Sequence, residues 1–96
     1  MIARNIRPLF PLGRVVATPG ALAALEAAGD PAAKFLARHA RGDWGNVDTD
    51  DAKENDLSLR EGFRILSAYQ TADGTGLWII TEADRSATTL LLPDEY

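Results

Sequence analysis

The chain contains a single histidine, His39, and no cysteine. Disulfides, thiolate chemistry and zinc held by cysteine are therefore excluded, and His39 is the one imidazole to weigh. A catalytic imidazole needs an acid to orient it and a nucleophile within reach. Asp43 lies four residues on, close enough to meet His39 if the helix continues, and Asp84 is a second acid of this kind. Ser67 and Ser86 are hydroxyls distant in sequence, and no G-x-S-x-G elbow presents either one. The simpler reading has His39 near a helix C-terminus, paired with the helix dipole or with Asp43. A small enzyme using His39 with Asp43 or Asp84 is accordingly the alternative reading, and no catalytic residue is assigned.

The richer signal is acidic. Asp48, Asp50, Asp51, Glu54 and Asp56 crowd one short region. Read as a calcium loop from Asp48, this run puts Ala52 at position 5, Lys53 at position 6 and Leu59 at position 12. Neither the required glycine nor the closing acid is present. Without thiolates, and with the calcium spacing failing, neither metal nor cofactor is expected. The glycines form no G-x-G-x-x-G or G-x-x-x-x-G-K-[ST] phosphate cradle. Carboxylates along a helix can instead imitate a phosphate track offered to a basic groove. Trp44, between Asp43 and Gly45, is either a core plug or an exposed anchor of the kind that dominates interfaces. Asp84 and Arg85 sit in a short inter-strand turn, where they either present charge or cap the turn. The candidate partner-binding set is thus Asp43, Trp44, Asp48, Asp50, Asp51, Glu54, Asp84 and Arg85.

Charge is uneven. Residues 1–42 carry six basic and two acidic groups, and residues 43–96 carry four basic and twelve acidic. The acidic half repels phosphates, so direct nucleic-acid binding is disfavoured there and a protein partner with a basic surface is favoured. Lys34, Arg38 and Arg41 form a basic stripe on the second helix, which is the basis of a DNA-binding alternative.

The elements that position these residues follow from capping and pattern. Arg14–Ala17 reads as a short strand. Thr18-Pro19 starts a helix over 19–28 that Gly29 ends. Asp30-Pro31 repeats that start, and a second helix runs over 32–41 to Gly42. Phe35 and Leu36 are its apolar anchors, with Ala32 and His39 on a neighbouring face. Asp48 caps a third helix over 49–61, turning Ala52, Leu57 and Leu59 inward, and Gly62 ends it. Strands follow over 63–70, 77–82 and 87–92, joined by the Asp73-Gly74 hairpin and a turn at 83–86. Trp78 alternates with Ile80 and reads as core. The expectation is a single α+β domain over 1–96: a short strand, three helices packed on one face, and a three-stranded antiparallel meander. Residues before Arg14 read as irregular or as a short edge strand, because Pro8 and Pro11 interrupt them. They also break any leader-like apolar run, no apolar stretch is long enough to span a bilayer, and the expected location is cytoplasmic.

HARGDWG at 39–45, RILSAYQTADGT at 64–75 and WIITEADRSATTLLLPDEY at 78–96 together resemble a family of small bacterial proteins carried on plasmids, prophages and integrated elements. Some of these are labelled plasmid-related proteins or restriction-system subunits. The resemblance implies an accessory role on a mobile element, such as inhibition of a CRISPR or restriction nuclease. It implies no functional residues by position.

Overall fold

The computed structural model describes residues 7–96. The expectation for residues 1–6 lies outside them. The element order is β1 (Arg14–Ala17), α1 (Pro19–Ala28), α2 (Ala32–Ala40), α3 (Thr49–Glu61), β2 (Ile65–Gln70), β3 (Gly76–Thr81) and β4 (Ala87–Leu91), closed by a 3-10 turn at Pro93–Glu95. The chain is α+β, as the segregation of helices and strands implies.

The helix ends obey their caps. Thr18 accepts from the Ala21 amide at 3.0 Å, and Asp48 accepts from the Asp51 amide at 2.8 Å. Asp30 departs from expectation. Pro31 is the N-cap of α2 and makes no side-chain cap bond. The Asp30 carboxylate reaches outward instead, to the Ala72 amide at 2.7 Å and Lys34 Nζ at 3.1 Å. These bonds hold its pKa below the usual carboxylate range, the Ala72 amide contributing most.

β2, β3 and β4 form the expected antiparallel meander. It is not the whole sheet. β1 joins β4 in parallel, Val15 beside Thr88, giving a four-stranded mixed sheet in the order β1-β4-β3-β2. Gly13 makes this joint possible. Its φ is +64°, and a β-carbon there would collide with the carbonyl oxygens of Arg85 and Ser86.

Side chains alternate across the sheet. Ile65, Ser67, Tyr69, Leu77, Ile79, Thr81, Thr88 and Leu90 share the inner face and are all buried. α1 and α2 cover that face through Ala21, Leu25 and Phe35. Burying one side chain such as Phe35 contributes about 2–3 kcal/mol. α3 sits at the margin of that layer, packing Ala52 and Leu59 against Ile65, Phe10 and Trp44. It runs beside the β2 edge, where the Asn55 amide brackets the Leu66 backbone: Asn55 Nδ2 donates to the Leu66 carbonyl (2.7 Å), and the Leu66 amide donates to Asn55 Oδ1 (3.2 Å). The Trp44–Asn46 segment finishes the same edge. Ala68 N donates to the Trp44 carbonyl at 3.1 Å, and Asn46 N donates to the Ala68 carbonyl at 2.6 Å. An edge strand is thus closed by an amide side chain and a loop, which prevents unwanted strand pairing there. Only glycine fits at position 45, with φ +75° and the Ala68 carbonyl where a β-carbon would be.

Candidate functional site

His39 is 0% exposed, and its ring is committed inward. Nδ1 lies 2.6 Å from Ser67 Oγ, and Nε2 lies 2.9 Å from Thr81 Oγ1. Thr81 Oγ1 is 2.7 Å from Thr88 Oγ1, and the Thr88 hydroxyl donates to the Leu12 carbonyl at 2.7 Å. That last bond orders the others. A carbonyl only accepts, so the Thr88 hydrogen is spent on Leu12 and Thr88 accepts from Thr81. The Thr81 hydrogen is then spent too, so Thr81 accepts from His39 Nε2–H. Nδ1 is left to accept from the Ser67 hydroxyl. The chain fixes one neutral tautomer without any carboxylate.

The rings of Phe10 and Trp44 stand edge-on to the imidazole, with centroids at 5.3 and 6.0 Å. Burial in this box pushes the His39 pKa down from 6.5 to about 4. A serine hydroxyl on a neutral imidazole has the form of a nucleophile and its base. Ser67, however, is 0% exposed. The surface groove at Asp51, Glu54, Asn55, Arg64, Leu66 and Trp78 does not reach it, nor does the one at Pro8, Ala37, Ala40 and Arg41.

The pairing of His39 with Asp43 or Asp84 does not form. Asp43 accepts from Arg38 Nε at 2.7 Å and from the Gly45 amide at 3.2 Å. Its carboxyl is held below the usual range, by Arg38 most of all. The Asp43 carbonyl also accepts from the Tyr69 hydroxyl at 2.6 Å, and burial pushes that phenol up to about 12. Asp84 caps its own turn, accepting from the Ser86 amide at 2.9 Å.

The other predicted contact residues divide in two. Trp44 is 7% exposed and packs with Phe10 and Ile65, its indole N–H donating to Asp56 Oδ1 at 3.3 Å. The indole fills the space under the loop that closes β2, so it is a core plug and not a surface anchor. Arg85 is likewise structural. Its guanidinium donates to the carbonyls of Phe63 (2.6 Å), Ser58 (2.8 Å), Glu82 (3.1 Å) and Ala83 (3.1 Å). It clamps the end of α3 to the β3–β4 turn, and it does so at φ +61°, the only positive value for a non-glycine among the described residues. Asp48, Asp50, Asp51 and Glu54 are all exposed. Asp48 serves as the N-cap, whereas the carboxylates of Asp50, Asp51 and Glu54 form no ion pair within the described chain.

The basic stripe is largely spent. Lys34 pairs with Asp30, and Arg38 pairs with Asp43 while lying over the Tyr69 ring at 4.6 Å. Among the described residues, no group of three or more His, Cys, Asp or Glu side chains could hold a metal ion. None of the described helices is long and apolar enough to cross a membrane.

Sequence reasoning weighed Ser67 only as a distant nucleophile for His39, and missed Thr81 and Thr88 as members of its hydrogen-bond chain. The available signal was strand period: each sits on the inner face, among Ile65, Tyr69, Leu77, Ile79 and Leu90, where an unpaired hydroxyl is unfavourable. Asn55 was missed because it falls inside an acidic, solvated run. Trp78 was expected in the core but is only half-buried. It stands on the outer face of the sheet, its ring edge-on to Tyr96 at 5.6 Å, in a groove of about 310 Å³ shared with α3. No family model matches the chain, and no curated protein or solved structure matches it.

Proposed function

We propose that the protein is a non-enzymatic protein-binding module. Its contact surface is the exposed acidic start of α3, and its partner presents a basic surface built to hold nucleic acid. In its most concrete form it is a mobile-element inhibitor of a host defence nuclease, of the CRISPR or restriction kind. The resemblance of the 39–45, 64–75 and 78–96 segments to plasmid and prophage proteins supports that form.

One observation carries the reading. Asp50, Asp51 and Glu54 are exposed carboxylates without an internal cation, on one end of a rigid helix. Spaced carboxylates of this kind stand in for backbone phosphates in a basic groove. The sealed position of His39 and the neutralised Lys34 and Arg38 support it further, because neither the imidazole nor most of the basic stripe is free to engage a ligand.

The test is affinity capture from the native host. Wild type, His39→Gln and the triple variant Asp50→Asn, Asp51→Asn, Glu54→Gln are compared as baits. Amides replace the acids here because lysines would oppose the dipole at this helix end and weaken the fold. Expected is one nucleic-acid-binding protein retained by wild type and His39→Gln, lost by the triple variant, and eluted as salt rises. Equal retention by all three baits would refute the acidic surface.

A further inference from the structure

The groove between α3 and the outer face of the sheet has a definite chemical character. Its apolar surface comes from Trp78 and Leu66, and its polar lining is Asp51, Glu54, Asn55 and Arg64. Two of those four polar groups are already committed. The Asn55 amide is spent on the Leu66 backbone. Arg64 donates to Tyr96 Oη at 2.9 Å and to Glu82 Oε1 at 3.3 Å. What is left is two unpaired carboxylates, which only accept hydrogen bonds, and a half-buried indole whose one ring contact is the edge-to-face one with Tyr96.

With the Arg64 charge offset by Glu82, two unpaired carboxylates beside an aromatic plane leave the groove net acidic, which complements a cation and repels a phosphate. Asp51 and Glu54 are three residues apart on one helix, so they project from the same side. A flat guanidinium matches this better than an ammonium. It stacks on an indole and spans two carboxylate acceptors with its fork of N–H groups. We infer that this groove takes an arginine side chain from the partner protein, the guanidinium lying on Trp78 and paired with Asp51 and Glu54. The inference rests on the protein-binding reading above and names the contact at its centre.

The test uses the full-length protein labelled with ¹⁵N and a blocked peptide with one central arginine between glycines. Lysine and citrulline versions serve as comparators, all titrated into the millimolar range. The indole N–H of Trp78 is the reporter. The buried indole of Trp44, bonded to Asp56, is the internal control. The arginine peptide is expected to shift Trp78 saturably and leave Trp44 in place. Lysine should act more weakly, and citrulline, which keeps the shape without the charge, should do little. The variant Asp51→Asn with Glu54→Gln should weaken the arginine response by about tenfold, as loss of exposed ion pairing beside a retained stack implies. Both residues are exposed and unpaired, so the variant keeps the fold, which the unmoved Trp44 signal verifies. A Trp78 signal that stays still, or that responds equally to citrulline or to lysine, overturns the inference. If Trp78 is silent while the triple variant still loses its captured partner, the groove assignment falls and the acidic-surface reading stands. If captures are equal for all baits, that reading falls on its own.

Discussion

Stability should fall on mild acidification chiefly because of His39. An ordinary histidine titrates near 6.5, and burial holds His39 at about 4. Since the folded pKa lies below the unfolded one, the unfolded chain binds the extra proton first. Stability is therefore fully present above the unfolded value and declines as pH drops through the window from 6.5 towards 4. Linkage over those two values gives a loss of about 2 kcal/mol between about pH 7 and about pH 5, and about 3 kcal/mol by pH 4. For a domain of this length, 2 kcal/mol lowers Tm by roughly 8–16 °C. The carboxylates of Asp30, Asp43, Asp73, Asp84 and Glu95 are held below their ordinary values, so their contributions are lost mainly at lower pH. Urea melts at a series of pH values, for wild type and His39→Gln, separate the two. His39→Gln should be less stable near neutrality yet much flatter than wild type between about pH 7 and about pH 5, because it lacks the imidazole's contribution. Parallel pH profiles for the two proteins would refute the sealed, uncharged imidazole.

Three further outcomes follow from the packing. Arg85→Ala should destabilise by about 2–4 kcal/mol through loss of charge-assisted bonds to four carbonyls. Arg85→Gly should be about 1 kcal/mol milder, because the left-handed backbone no longer opposes a side chain; thermal melts of both compare the terms. Asn55→Leu should cost about 2 kcal/mol in denaturant melts, since it strands the amide and carbonyl of Leu66 at the β2 edge. Gly45→Ala should cost at least about 2 kcal/mol by forcing a β-carbon against the Ala68 carbonyl, with faster amide exchange at Asn46 and Ala68 as its local signature.

Much of the fold was legible because it is written in short-range chemistry. Thr18-Pro19, Asp48, Gly29 and Gly62 mark helix ends by capping alone, and Asp73-Gly74 marks the hairpin. The parallel β1–β4 pair was not legible, because it joins residues more than 70 positions apart and depends on a close approach at Gly13. Separation in sequence also hid the His39 chain, whose partners lie 28 and 42 positions away. Local sequence offers His39 an acid at position 43, and tertiary structure gives that acid to Arg38 and gives His39 two strand hydroxyls. Trp44 and Arg85 have residue types that suit interfaces, but the chain uses both to close its own edge and turn. The exposure of Asp50, Asp51 and Glu54 was readable, since a solvated acidic helix start needs nothing beyond its own dipole.

The central claim is that those three carboxylates meet a basic partner. Its most direct measurement is the calorimetric affinity of the purified captured partner for wild type and for Asp50→Asn, Asp51→Asn, Glu54→Gln. The account requires the triple variant, with its Tm preserved, to bind at least about tenfold more weakly, and the difference to shrink as salt screens the wild-type contact. Equal affinities at low salt, with both proteins folded, would contradict it.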